Sequence, residues 1–282
     1  MQVWIVLLLL GIFLVVANQI AVILFPFFAP SGTIPTGIIH YYQDYFYYLN
    51  QITQGTHGAW LTAEHYTSEI LPKIILYWQH IYIGRIGGFL HLPPPVTYNV
   101  SIALFVLSFP FLIYAIATRY TPLVWKRLSI VFLSLLTTGL MHRVQSPNGW
   151  DWVPFQIWRS PHPLFNRLGG VPGHLFQTLL FYLVWIAILS IPHTRPKWNH
   201  ILVLALLSFL LSSLNPAMIL VALAGLGCSY VLWGIRHAAK PRWMVRIGMM
   251  MGISAVAVYI PVRLEQSLLA VPPHSIASVW EA

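Results

Sequence analysis

Residues Val3–Phe25 read VWIVLLLLGIFLVVANQIAVILF, with no charged side chain and two polar ones, Asn18 and Gln19. A run of this length is enough to cross the ~30 Å hydrocarbon core of a bilayer as a helix. It lacks the basic start and the short apolar core of a cleaved leader, so it reads as a retained membrane span. Similar runs recur at Val100–Thr118, Leu128–Met141, Leu175–Ile191, Ile201–Leu214, Met218–Trp233 and Ile247–Ile260. The expected fold is therefore all-α and polytopic, with about seven spans. The 282 residues are 58% hydrophobic and only 7% charged, a composition from which no soluble surface can be built. The net charge of +9 is accordingly read as membrane topology, and no nucleic-acid partner is expected.

Charge placement orients the layout. Ile201–Leu214 and Met218–Trp233 are separated by Asn215-Pro216 and are read as a helical hairpin. With Met1 in the cytoplasm, the inner loops are then Arg119–Arg127, His193–His200 and Arg236–Arg246, all short and basic. All six carboxylates fall outside: Asp44, Glu64, Glu69, Asp151, Glu265 and Glu281. Treating 201–233 as one kinked helix would put the basic 236–246 loop outside. Pro26, Pro30, Gly32 and Pro35 are expected to end the first span and open a long outer loop, 26–98. Ile70–Leu92 is long enough to span, but Lys73, Gln79, His80 and Arg85 interrupt it, so it reads as an interfacial helix. Pro93-Pro94-Pro95 is expected to stop it. A second outer loop covers 142–172, and a polar tail 261–282. The expected organisation is one membrane domain, 1–282, in the plasma (inner) membrane, with the active face outside.

The chemistry-bearing stretch is His40–Trp60, HYYQDYFYYLNQITQGTHGAW. Ile38–Gln54 has helical character, with Gly55 as its cap. On such a helix His40, Asp44 and Tyr48 follow at four-residue spacing and share a face. A carboxylate beside the membrane and ringed by aromatics is desolvated, which raises its pKa and suits it to deprotonate a hydroxyl. An aromatic belt around a solvated Asp explains the same residues without chemistry. In the second loop, Arg143, Arg159 and Arg167 accompany His174, where Gly-Gly-Val-Pro-Gly leads into a helix N-terminus, a place suited to anions. Snorkelling to lipid headgroups is the plainer reading for any single Arg. Nine of the twelve histidines fall on the assigned outer side, yet no H-E-x-x-H or Cys partner accompanies them. No metal site is expected, and a divalent ion stays open.

The run Asp44, Tyr48, Ile52, Gly55, Gly58 and Trp60, which follows the first span on the first loop, resembles the GT-C superfamily of membrane glycosyltransferases. These include protein O-mannosyltransferases and bacterial enzymes using polyprenyl-phosphate sugars. Glu64-His65-Tyr66-Thr67 and the following helix resemble the rest of that loop, with its juxtamembrane helices. The resemblance implies a catalytic Asp44 that deprotonates a hydroxyl-bearing acceptor, with Glu64 or Glu69 as supporting carboxylate. It further implies donor-phosphate contacts from Arg143, Arg159, Arg167 and His174, and sugar or acceptor contacts from His40, Tyr48, Trp60 and His65. The implied partners are a polyprenyl-phosphate-linked sugar, the acceptor and the bilayer; no cofactor is implied. No D-x-D occurs, so the metal-dependent oligosaccharyltransferase branch finds no support. The chain is short for that superfamily and reads as an N-terminal portion. Two rivals carry different expectations. A lipid or lipid-linked-sugar transporter or flippase would show mid-membrane ionisable groups and internal repeats, which this sequence lacks. A non-catalytic assembly subunit would not need an acid at position 44.

Overall fold

A computed structural model describes residues 2–33, 44–63, 73, 75, 78–136, 141–146, 149–154, 171–191, 197–236 and 241–269. The described chain is helical apart from one β-hairpin. In order come α1 (Gln2–Phe28), α2 (Tyr45–Thr56), α3 (Trp78–Phe89), α4 (Pro94–Ala117), α5 (Val124–Leu136), β1 (Met141–Ser146) and β2 (Gly149–Pro154). They are followed by α6 (Pro172–Ser190), α7 (Trp198–Ser212), α8 (Pro216–Arg236) and α9 (Pro241–Leu269). Five of these helices are long and apolar enough to cross a membrane: α1, α4, α6, α8 and, within α9, Val245–Ser267. The expected count of about seven spans is not reached among the described residues. Helices α5 and α7 have 13 and 15 residues, or ~20 and ~22 Å at the α-helical rise, short of the ~30 Å core.

Several boundaries differ from those expected, each for a local reason. Helix α1 runs through Pro26. A proline in the last turn removes one hydrogen bond at an end that is already fraying. The stop comes instead from Pro30 and Gly32, whose φ of +83° closes a turn through the Thr33 N–H to the Pro30 carbonyl, 3.1 Å. Pro94 and Pro95 begin α4 rather than only ending α3; the first helical turn has no use for their missing N–H groups. Helix α9 passes through Pro261, where the polar tail was expected to begin. Met141, expected as the end of a span, opens β1, and the stretch expected as a second outer loop holds an antiparallel hairpin with Met141 opposite Pro154 and Ser146 opposite Gly149. The break at Asn215-Pro216 is as expected. The Asn215 side-chain oxygen accepts from the Met218 N–H at 3.2 Å, capping α8, while Pro216 fills its first position.

The residues cluster into two compact units, where the sequence reads as one domain. The first comprises Met1–Ala59 and Gln79–Phe176, the second Trp60–Trp78 and Gln177–Ala282. In the first unit α1 packs on α4 through Gly11, over which Leu107 lies, and through Trp4 stacked on Phe111 at 6.1 Å. Leu7 and Leu14 are fully buried, while Ile5, Leu9, Phe13 and Val16 are exposed, as on a helix with one protein face and one lipid face. In the second unit Ser212 Oγ reaches the Val258 carbonyl at 3.4 Å, and Trp78 Nε1 donates to Ser213 Oγ at 3.0 Å.

The closest helix packing in the first unit joins α2 to α3. A Cβ on Gly55 would overlap the Ile81 carbonyl, one on Gly84 the Ile52 carbonyl, and one on Gly88 the Thr56 backbone. Gly84 and Gly88 are four apart, the small-xxx-small spacing that lets helix backbones touch. Gly55, expected as a cap, lies inside the last turn and is fully buried; the cap is His57, and Gly58 takes the positive φ of +93°. Arg85 closes the end of this pair by donating to the Gly58 carbonyl. Adding a side chain here forces the helices apart. Gly84→Leu is expected to cost at least the ~1–3 kcal/mol of ordinary overpacking. Gly248→Ala, at an open site in α9, is expected to leave stability unchanged or raise it. Thermal unfolding of the detergent-solubilised variants separates the two.

Candidate functional site

Asp44 is the residue before α2 and is exposed. Its carboxylate does not cap the helix, although Asp is a strong capping residue. Among the described residues no capping hydrogen bond ties up the carboxylate. Among the described residues, the buried member of this turn is its neighbour Tyr45. One turn on, the Tyr48 N–H donates to the Asp44 carbonyl at 3.1 Å, so both residues share a face of α2.

Tyr48 is the centre of a ring cluster. The His80 ring on α3 lies 4.8 Å from it and the His174 ring, in the first turn of α6, lies 6.4 Å away. Tyr45 makes an edge contact with Tyr98 of α4 at 5.1 Å. Asp44 acts electrostatically on both His174 and Tyr98. The first unit therefore gathers one carboxylate, three tyrosines and two histidines from α2, α3, α4 and the start of α6. Burial pushes the Tyr45 phenol up from its ordinary value, so it stays neutral.

His80 is the buried hinge pin of this cluster, with 1% of its surface exposed. Its Nε2 accepts the Gly173 N–H at 3.2 Å. Nε2 must then be unprotonated, which places the ring proton on Nδ1. A side chain at position 173 would collide with His80 and with the Gln79 amide, so the residue must be glycine. Burial first, and the nearby His174 second, push His80 from 6.5 down to about 3. Gly173 N–H is thereby spent, and the His174 and Leu175 N–H groups both bond to the Val171 carbonyl, at 3.0 and 3.2 Å. The helix start was expected to bind an anion through its backbone. With Pro172 lacking an N–H, no backbone donor from 172 to 175 is left for that. What α6 presents is the exposed His174 imidazole.

Among the other expected site residues, Arg143 lies in β1 opposite Trp152. Trp60 is exposed and belongs to the second unit. His40, Glu64, His65, Glu69, Arg159 and Arg167 lie outside the described residues. Asp44, Tyr48 and His174 are brought together. His80 and Tyr98 join them without having been singled out; the signal for His80 is its four-residue spacing from Gly84 and Gly88 along one ridge of α3. Hydrogen-bonding capacity is left over in this region: His80 Nδ1, Gln79 Oε1 and both amide atoms of the buried Gln51 have no partner among the described residues. No group of three or more His, Cys, Asp or Glu with metal-binding geometry occurs among the described residues. Compared with known proteins, the chain matches no family model, no curated protein and no solved structure.

The neutral His80 makes stability depend on pH in a defined direction. Its folded pKa lies below its unfolded one, so the unfolded chain binds the extra proton between about 3 and 6.5. The stabilisation is complete above 6.5 and is lost as pH falls toward 3, with a slope of at most ~1.4 kcal/mol per pH unit. His80→Gln, which keeps an acceptor for Gly173, is expected to flatten the fall in melting temperature between pH 7.5 and 4.5. Parallel profiles for the two proteins would contradict a neutral buried His80.

Proposed function

We propose that this chain is a GT-C-like glycosyltransferase that takes its sugar from a polyprenyl-phosphate donor and passes it to a hydroxyl acceptor at the outer face of the plasma membrane. The observation that supports the reading is the meeting of Asp44 and Tyr48, the first two residues of the resembling run, with His174, which comes from the first turn of α6, far along the chain. Five membrane-length helices among the described residues and a chain only 7% charged agree with a lipid-linked substrate.

In this reading Asp44 takes the proton of the acceptor hydroxyl. The freed oxygen attacks the anomeric carbon as the bond from that carbon to the phosphate oxygen breaks. The polyprenyl phosphate leaves with the electron pair, and the anomeric configuration inverts. An exposed carboxylate suits this role, because both the acceptor and the proton must reach it. In this reading His174 donates to the developing phosphate charge, and Arg143, Arg159 and Arg167 are the cations assigned to the donor phosphate. Tyr48 contacts both histidines, His80 with a tilted ring and His174 edge-on. The leftover polar atoms of Gln51, Gln79 and His80 are available to water or to a hydroxyl-rich ligand that reaches them.

The test is transfer from a labelled polyprenyl-phosphate sugar in membranes carrying the full chain. Asp44→Asn keeps the shape and removes the base, and is expected to lower turnover by about 10²–10⁴-fold, the usual worth of a general base. His174→Ala is expected to weaken donor use more than acceptor use. Unchanged transfer by Asp44→Asn removes the base assignment. A wild-type chain that binds the donor without turnover favours the assembly-subunit reading.

A further inference from the structure

Helices α8 and α9 of the second unit enclose an apolar groove with a volume of about 940 Å³. Leu220, Gly227 and Cys228 line one wall, and Met251, Ala255 and Tyr259 the other. The helices come close where Gly227 meets Met251, with 3.4 Å between a Cβ built on the glycine and Met251 Cε. Leu220, Cys228, Ala255 and Tyr259 are exposed, so the groove opens along its length to whatever surrounds the helices.

One end of the groove carries a cation. The Arg263 guanidinium sits over the Tyr259 ring, 6.0 Å from its centroid, and its Nη1 donates to Gln266 Oε1 at 3.2 Å. Arg263 meets no carboxylate among the described residues. An arginine held on an aromatic face at the rim of an apolar slot complements a ligand with an anionic head and an apolar tail. Length narrows the choice. From Met251 to Arg263, twelve residues, α9 rises ~18 Å, close to the ~15 Å that one leaflet contributes to the hydrocarbon core. A partner helix or a long isoprenoid would call for a slot nearer the full thickness.

We propose that the α8–α9 groove is a binding site for an anionic phospholipid, with one acyl tail along Gly227, Cys228 and Ala255 and the headgroup phosphate on Arg263. This stands whether or not the chain transfers sugar.

The test uses the purified full chain, offered phosphatidylglycerol and phosphatidylcholine of identical tails, with bound lipid measured by native mass spectrometry. Wild type is expected to retain phosphatidylglycerol over phosphatidylcholine by roughly tenfold, the worth of one hydrogen bond to a charged group. Arg263→Gln is expected to abolish that preference, Arg263→Lys to keep most of it, and Arg236→Gln, at the other end of α8, to leave it intact. Gly227→Leu, which fills the slot, should release both lipids while the melting temperature confirms folding. Cys228 is the single cysteine and lines the groove, so phosphatidylglycerol should slow its reaction with a maleimide in wild type but not in Arg263→Gln. Equal retention of the two lipids, or an unaltered preference in Arg263→Gln, overturns the proposal. So does efficient Cys228–Cys228 cross-linking between copies, which would make a second chain the occupant, or displacement of phosphatidylglycerol by equimolar polyprenyl phosphate.

Discussion

The contact on which the first unit depends is one between backbones, at Gly55, Gly84 and Gly88. Both helices, α2 and α3, have 12 residues, too few to cross a bilayer, and their glycine faces bury little apolar side chain. Dispersion and weak polar contacts must do the work, and they act only at short range. Glycines provide that range. Tyr48 over His80, Ile52 against Gly84 and Thr56 against Gly88 ascend both helices together, and Thr56 Oγ1 adds a hydrogen bond to the Gly84 carbonyl at 3.3 Å. Every element of the candidate site hangs from this ladder. It sets the distance from Tyr48 to His80, and His80 in turn fixes the start of α6.

A buried imidazole with an unpartnered Nδ1 is costly, as are the unpartnered amide atoms of Gln51. A fold selected for stability alone would fill these positions with apolar side chains. Their presence beside an exposed carboxylate and an exposed imidazole agrees with a site where polarity serves chemistry. The neutral state of His80 also keeps the region free of an additional buried charge.

What could be read from the sequence was what depends on near neighbours. The apolar runs of α1, α4, α6, α8 and α9 mark helices long and apolar enough to cross a membrane, and Asn215-Pro216 marks its own turn. Asp44 and Tyr48 share a face because they are four apart. Prolines were read too strictly: Pro26 and Pro261 look like stops, yet a helix near its end, or one supported by neighbours, runs through them. Gly55 looked like a cap because glycine often is one, and nothing local says that the Ile81 carbonyl will occupy the space of its side chain. His80 was one interfacial histidine among many, since its meaning lies in a partner far along the chain. The hairpin at 141–154 was hidden by aromatic and polar residues that fit an irregular loop equally well.

The hydrogen bond from Gly173 to His80 spans 93 residues, and this has a consequence for biosynthesis. Chains emerge from the N-terminus and fold as they emerge. His80 is made long before its donor, and α2, α3 and α4 are complete while the Nε2 acceptor still faces an unfilled place. The chain also leaves the first unit at Ala59, returns at Gln79 and leaves again after Phe176. No continuous fragment contains that unit without part of the other. The Asp44 cluster is therefore completed only once Gly173 and His174 have been made, well after its acid.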